Sequence, residues 1–592
     1  WDDEYGISVP AEFHTIKKSI SKALKGFART ENSEGFEIIK VKGWDYPALI
    51  DAYAKAEQLA RREHIPVLVH VTELTQPQGH STSGSHERYK SEGRLAWEQN
   101  HDCLRTFKSW ILEKKVCTEK ELQQIDDAVV SEVLEARNIA FTEYQQVPRQ
   151  YSKWLEDLVN KQPIDESSEY QSLTKKLTSK KLLVKKDTLQ TADALKRIAF
   201  RRSDTTFLNQ LNALIAQIKS EEWKAYSSEL IDQSHRSLVN VPLIAPIYSD
   251  KPHFVDGRRI LQENFDSLLA SDPRIMIFGE DTGKIGGVNK ALEDLQDKYG
   301  DDRVSDTSIR EASIIGQGIG LAMRGLRPIA EIQYLDYIFY ALQVLTDDLA
   351  TLRYRSVGQQ IAPLIIRTRG HRLEGIWHSG SPMGGLVHLL RGIYILAPRN
   401  MTQAAGMYNA LLKANEPALV IEPLNGYRIK EALPENIGSY TTPIGTIEVL
   451  KPGTDITVIS YGSTLRIVSE VVERLTTYGI HCELIDVQTL WPFDIHHKTV
   501  ESLKKTNRLA IIDEDVPGGY SAYLLDQIIT VQKGFSLLDA APVVIAAKEH
   551  RPAYGSDGDY FSKPNAEEIF DHLYQMMHES NPSYFPAWNS MS

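Results

Sequence analysis

Glu311 is the residue of this chain best placed for acid–base chemistry. It stands just ahead of a small-residue helix pattern, Ile314, Ile315, Gly316, Gly318 and Gly320. A second apolar segment, Ile329 to Ile332, then runs into Gln333 and Tyr337. A carboxylate buried at such an edge carries a desolvation cost, so it needs a proton or a basic partner. Two histidines lie in polar runs, His80 in GHSTSGSHERY (79–89) and His378 in GIWHSGSP (375–382). In a loop of this composition His80 either reaches a phosphate or a reacting acid, or is simply solvated; His378 by itself reads as a neutral core histidine. Gln333 and Tyr337, four residues apart, would share one face of a helix, where an aromatic reads as core or as a platform for a ring. The opening WDDEYGISVP reads on its own as an acidic surface turn or as the end of a buried strand and a loop.

Residues 305–337, SDTSIREASIIGQGIGLAMRGLRPIAEIQYLDY, closely resemble the pyrimidine-binding domain of the thiamine-diphosphate enzymes that decarboxylate 2-oxo acids. The resemblance covers nearly the whole chain: residues 1–140 match the later part of an alpha half and 250–575 a complete beta half, as in a fused 2-oxo acid dehydrogenase component closest to the branched-chain 2-oxoisovalerate type. It implies that Glu311 hydrogen-bonds the aminopyrimidine of thiamine diphosphate and activates it. It also implies that Tyr337 stacks on that ring, that Gln333 borders the substrate pocket, and that Ile309, Glu280 and His80 complete the cofactor-binding set. His80 would lie near the diphosphate and the active-site channel, and His378 in the channel, serving acid–base steps or transfer to the lipoyl group. Asp3 matches a ligating asparagine and the Tyr5 carbonyl a backbone ligand of Mg2+, although the Gly-Asp-Gly half of that motif is absent from this sequence. Ser81 matches a position phosphorylated in mitochondrial members, a modification not expected here. Three departures stand out: Gln76 replaces an arginine, Gly380 replaces a glutamine, and the GHRLEG loop (370–375) is short. LIDVQTLWPFD (484–494) and LAIIDEDVPGGY (509–520) match a transketolase-type C-terminal domain implied to make subunit contacts and to dock on the acyltransferase core. Within it Asp486 and Asp494 read as structural, Asp494 capping the helix after Pro492.

The elements that would hold these residues are α/β. Leu49–Arg62 has helical periodicity and Ile65–Val71 is a short apolar strand. Residues 76–95 are polar and Gly/Ser-rich, hence a loop. Helix patterns return over 96–141, with Ile125, Val129, Val133 and Leu134 on one face. Residues 142–245 are charged and helix-prone, with a lysine cluster from Lys175 to Lys186 read as a solvated face, and end in the three-proline stretch VNVPLIAPIYSDKP. Over 255–430 strands at Ile275–Phe278, Leu364–Ile366 and Ala418–Ile421 alternate with helices. Over 440–575 strands at Asp455–Ser460, Cys482–Val487 and Leu509–Ile512 accompany a helix from Thr464 to Thr477. Such alternation predicts parallel sheets flanked by helices, a thiamine-diphosphate-binding fold plus a transketolase-type C-terminal domain. The expected division is 1–141 (C-terminal part of a diphosphate-binding domain), 142–250 (helical linker), 251–435 (pyrimidine-binding domain) and 436–592 (C-terminal domain).

The chain has 592 residues, 42% hydrophobic and 25% charged, and a formal charge of −12, which argues against a nucleic-acid binder. Its three cysteines, Cys103, Cys117 and Cys482, have no metal spacing and fit a reducing compartment. No run of about 18 apolar residues exists to span a membrane. Because the sequence opens on Trp1, the polypeptide is expected to begin upstream, or a separate chain to supply the missing part. The resemblance implies oxidative decarboxylation of a 2-oxo acid, best 3-methyl-2-oxobutanoate and alternatively pyruvate. The acyl group would pass to the lipoyl domain of a dihydrolipoyl acyltransferase, the enzyme being a homodimer or larger assembly in a bacterial-type cytoplasm. A catalytically inactive assembly protein retaining the fold is the reading of another class.

Overall fold

The computed structural model describes residues 1–587 apart from Asn32, Pro77, 81–84, 163–167, Lys181, Ser228, 371–377 and Ser379. Ser81, most of GHRLEG and the Gly375–Trp377 stretch therefore lie outside the described residues. Two compact units are formed, Trp1–Ile218 and Lys219–Ser592.

The first unit holds one parallel pair, β1 (Glu37–Lys42) and β2 (Val67–Thr72), in register from Glu37↔Val67 to Lys42↔Thr72. The helix Tyr46–Arg62 joins them, started by Asp45, whose carboxylate accepts the Ala48 N–H at 3.2 Å. Its inner face meets Val41, Val71, Ile39 and Val69. The expected loop 76–95 is shorter than read, because Ser91 caps a helix that begins at Glu92. The opening residues do not end a buried strand: Trp1 is 89% exposed, and Tyr5–Gly6 pairs with Val9–Pro10 in a minimal hairpin. A single helix, Glu119–Val159, opens on a capping box of Thr118 and Glu121 and runs without a break past residue 141. The segment read as a linker packs as helices around its own core of Tyr151, Leu155, Leu195, Ile198, Phe207, Leu211 and Ile218. Its charge masks an ordinary amphipathic spacing, seen in Leu195, Ile198 and Ala199.

Besides the antiparallel pair Phe254–Asp256 and Lys430–Ala432, the second unit has two sheets. In chain order their strands are β3 (Ile275–Gly279), β4 (Val304–Asp306), β5 (Arg327–Ile332), β6 (Ile365–Gly370), β7 (Tyr394–Leu396), β8 (Ala418–Pro423), β9 (Glu448–Lys451), β10 (Ile456–Ser460), β11 (Cys482–Asp486), β12 (Thr489–Trp491), β13 (Leu509–Ile512) and β14 (Val543–Ile545). The larger sheet has the order β12-β7-β8-β6-β5-β3-β4, parallel except for β12. The smaller has the order β9-β11-β10-β13-β14, parallel except for β9. Strand β12, from the C-terminal half, thus completes the sheet of the preceding one. Alternate side chains of the larger sheet feed two cores: Phe278, Ala330, Ile332, Ile366 and Leu419 on one face, Ile277, Ile329, Ile365 and Val420 on the other. This period of two is what a parallel sheet covered on both faces requires. Helix Glu311–Met323 lies on the first face through Ile314, Ile315 and Ala322. Gly318 lets the helix pack closely there, since a Cβ would come within 2.7 Å of a Leu364 methyl group, which would have to shift.

Candidate active site

The C-terminal ends of the parallel strands converge on one edge of the larger sheet, where sites of open α/β sheets lie. Strand β3 ends at Gly279, whose Cβ would fall 2.6 Å from the Glu331 carbonyl, and delivers Glu280. After β4 the chain turns into the helix that opens on Glu311. Strand β5 delivers Gln333, Tyr334 and Tyr337, and β6 leads on to His378.

Glu280 and Glu311 are both buried. Burial, and then the neighbouring negative charges of Glu311, Asp281 and Glu331, push the Glu280 carboxyl above the usual range. Burial likewise raises the Tyr337 phenol, with Glu280, Tyr334 and Glu311 contributing. Glu280, Glu311 and Tyr337 therefore lie within electrostatic reach of one another. Glu311 itself makes no hydrogen bond or ion pair with the described residues. The Tyr337 hydroxyl lies 3.3 Å from Nε2 of His378, and the Tyr334 ring stacks on the imidazole at 4.5 Å and 16°. His378 takes φ of +61°, its Nδ1 is buried without a hydrogen-bond partner, and the Asp336 carboxylate stands 3.9 Å from that nitrogen. Gln333 Nε2 donates to Asp281 at 2.9 Å.

The structure thus brings together five of the residues singled out in the sequence: Glu280, Glu311, Gln333, Tyr337 and His378. Gln333 and Tyr337 do not share a helix. Gln333 follows the end of β5, and Tyr337 lies in a 3-10 segment, Leu335–Ala341. Ile309, two residues before Glu311, is 79% exposed. His80, Asp3 and Tyr5 belong to the first unit. His80 is exposed. The Asp3 carboxylate accepts the Tyr5 N–H at 3.1 Å, and its carbonyl accepts Arg94 Nη2 at 3.0 Å.

An aminopyrimidine fits the second unit, because a buried carboxylate with no protein partner among the described residues lies within electrostatic reach of Tyr337, whose hydroxyl neighbours a histidine with an unpaired ring nitrogen. The metal fit is incomplete. Mg2+ seeks about six oxygens, the Asp3–Tyr5 turn offers two, and no group of three His, Cys, Asp or Glu able to hold a metal occurs among the described residues.

Sequence reasoning missed a buried charge network behind this edge. Arg367 pairs with Glu331 and, at 2.8 Å, with Glu422; Arg369 pairs with Glu331 at 2.5 Å; Tyr408 donates to Glu422 at 2.6 Å, and Tyr427 donates to the same carboxylate. Burial would depress Arg367, but Glu422 and Glu331 outweigh it and hold it charged. Burial would raise Glu422, and Arg367 holds it below the usual range. The legible signal was Arg-Thr-Arg (367–369) in a strand otherwise apolar, with alternate positions pointing the same way. The predicted structural roles of the two C-terminal aspartates agree with the geometry. Asp486 is buried against Arg399 at 2.6 Å, and Asp494 accepts the N–H groups of Lys498 and Thr499 at 3.0 and 2.8 Å.

Residues 3–149 match the sequence profile described as Dehydrogenase E1 component, 254–430 that of the transketolase pyrimidine binding domain, and 445–567 that of the transketolase C-terminal domain. The chain is 33% identical over 312 residues to the pyruvate dehydrogenase E1 component subunit beta of Acholeplasma laidlawii, spanning 52% of this chain and 94% of that subunit. The chain belongs to the family of 2-oxo acid dehydrogenase E1 components. It is a thiamine-diphosphate-dependent 2-oxo acid dehydrogenase with alpha-like and beta-like parts in one polypeptide. To the mitochondrial 2-oxoisovalerate dehydrogenase subunit beta of Dictyostelium discoideum it is 37% identical over 292 residues, 48% of this chain and 76% of that one. A solved transketolase from Campylobacter jejuni shares the fold at 11% identity, TM-score 0.50, over 97% of this chain and 71% of that one. No helix among the described residues is long and apolar enough to cross a membrane.

Proposed function

We propose that this dehydrogenase acts on a branched 2-oxo acid, 3-methyl-2-oxobutanoate, and passes the acyl group to the lipoyl domain of a dihydrolipoyl acyltransferase. The observation that carries the reading is Glu311: a buried carboxylate without a protein partner among the described residues, opening a helix within electrostatic reach of Tyr337 and Glu280. Thiamine diphosphate, when bound, supplies the carbon nucleophile for the keto carbon and a sink for the electrons left by departing carbon dioxide. Glu311 exchanges a proton with the aminopyrimidine, and Tyr337 presents its ring to it. Burial at this edge keeps water from the reacting carbon. His378, oriented by Tyr334 and Tyr337, moves a proton during transfer to the lipoyl arm. His80 serves the diphosphate side, and Glu280, Gln333 and Ile309 border the cofactor and substrate. Asp3 and the Tyr5 carbonyl would give Mg2+ two oxygens, the others coming from diphosphate, water and donors elsewhere. The Gln333/Tyr337 pair and the 2-oxoisovalerate relatives favour the branched acid; the pyruvate dehydrogenase relative supports pyruvate as second reading. A homodimer in a bacterial-type cytoplasm and the division at 141, 250 and 435 belong to the same proposal.

The test is a substrate panel on the full-length, cofactor-loaded enzyme with an artificial oxidant. The branched acid should give a kcat/KM at least about tenfold above pyruvate, the size of a methyl-group difference in an apolar pocket. A clear pyruvate preference overturns the substrate assignment. Turnover of neither, with the cofactor bound, would make the chain an assembly protein.

A further inference from the structure

Among the described residues, four buried polar atoms without hydrogen-bond partners occur at or beyond the C-terminal ends of strands of the larger sheet: Asn289 Nδ2 after β3, Thr307 Oγ1 after β4, Arg369 Nη1 on β6 and His378 Nδ1 beyond it. Arg369 is the charged one. It is 1% exposed; its Nη2 is taken by Glu331 at 2.5 Å and its Nε by the Tyr427 hydroxyl at 3.4 Å. Nη1 has nothing to donate to among the described residues. An unmade hydrogen bond on a buried cation is among the costlier defects a fold can carry. Glu331 and Tyr427 engage Nη2 and Nε and leave Nη1 as the one donor of this guanidinium without a partner among the described residues, a charged donor that a carboxylate can satisfy. The head group also lies among site residues. Its carbon is 6.0 Å from the Tyr334 ring, which itself stacks on His378, and Nη2 would be 3.7 Å from a Cβ on Gly287 in the loop that follows Glu280.

We propose that Arg369 is a substrate-binding residue whose free Nη1 edge receives the carboxylate of the 2-oxo acid, the one anionic group every such substrate brings. This rests on the reading of the site as a 2-oxo acid dehydrogenase centre. Because the carboxylate leaves as neutral carbon dioxide, a cation held on it stabilises bound substrate more than the transition state. Losing the cation's fork therefore falls on KM more than on kcat.

The experiment uses the full-length enzyme loaded with thiamine diphosphate and two unreactive probes, 2-methylpropanoate and its amide. Calorimetry should show carboxylate binding weakened about ten- to a hundredfold in R369K, which keeps the charge facing Glu331 but loses the fork, with amide binding unmoved. Equal weakening of both probes, or of neither, overturns the proposal. On the wild type, which needs no variant to fold, the carboxylate should bind at least about tenfold tighter than the amide; parity overturns it as well. Carboxylate binding that R369K weakens, without decarboxylation of any 2-oxo acid, would sink the functional reading and with it the substrate role, leaving Arg369 as a carboxylate contact only.

Discussion

Replacing Glu331 by alanine tests the frame behind the site. Glu331 is fully buried on β5 and holds one oxygen to Arg367 and the other to Arg369. Arg367 would keep Glu422, but Arg369 would keep only the Tyr427 hydroxyl, leaving an uncompensated buried guanidinium. Breaking a buried pair by removing one partner costs about 3–5 kcal/mol. At about 1.36 kcal/mol per factor of ten, that is an increase of roughly two to nearly four orders of magnitude in the open population of this region. Hydrogen exchange of peptides covering 327–332 and 365–370 reads that population locally and avoids treating two units as one transition. Glu331→Gln, which keeps the volume and one acceptor, should fall between the alanine variant and the parent. Exchange within about threefold of the parent in the alanine variant would refute the reasoning, because it would mean that Arg369 finds another counter-charge at no cost.

Glu311→Ala should lower decarboxylation with an artificial oxidant about a hundredfold or more, as loss of a general acid–base group does; turnover near the parent's would remove the central residue of the site. Changing His378 to Asn should slow transfer to a lipoyl domain more than decarboxylation measured with the artificial oxidant, and equal losses in the two assays would contradict that role. Glu280→Gln should alter the pH dependence of stability. The parent's carboxyl is raised in the folded state, so its favourable contribution is complete below the ordinary value of 4.5 and is lost as pH rises through the raised value. The variant, unable to ionise, should gain on the parent across that window in urea midpoints taken from pH 4 to 7, and a constant difference over the range would rule out the raised value.

Much of the second unit was readable because its strands are apolar runs between turn signals. Leu509–Ile512 matched to the residue, and Ile275, Ala418 and Cys482 were placed as strand starts, since continuous burial on both faces leaves little ambiguity. The place of Glu311 at a helix start was legible because the small-residue helical pattern begins just after it. What failed did so for local reasons. EIIKVK (37–42) mixes charge into a strand and was not recognised, although its neighbour Val67–Thr72 was. The helices of 142–218 were legible, but the core they share was not, because their charge disguised the inward spacing of residues such as Leu195 and Leu211. The Gln333–Tyr337 spacing suggested a helix because spacing alone does not register a chain leaving a strand. The glutamate–arginine network needed partners from three strands, a pairing that no single stretch of sequence displays.

Strand β12 has a practical meaning for anyone who dissects this enzyme. A polypeptide severed near residue 440 would leave Tyr394–Leu396 as a bare hydrogen-bonding rim open to chance partners, while the detached piece carried off the ribbon that seals it. The pyrimidine and C-terminal halves of this unit are therefore expected to be expressed, exchanged and inherited only as a pair.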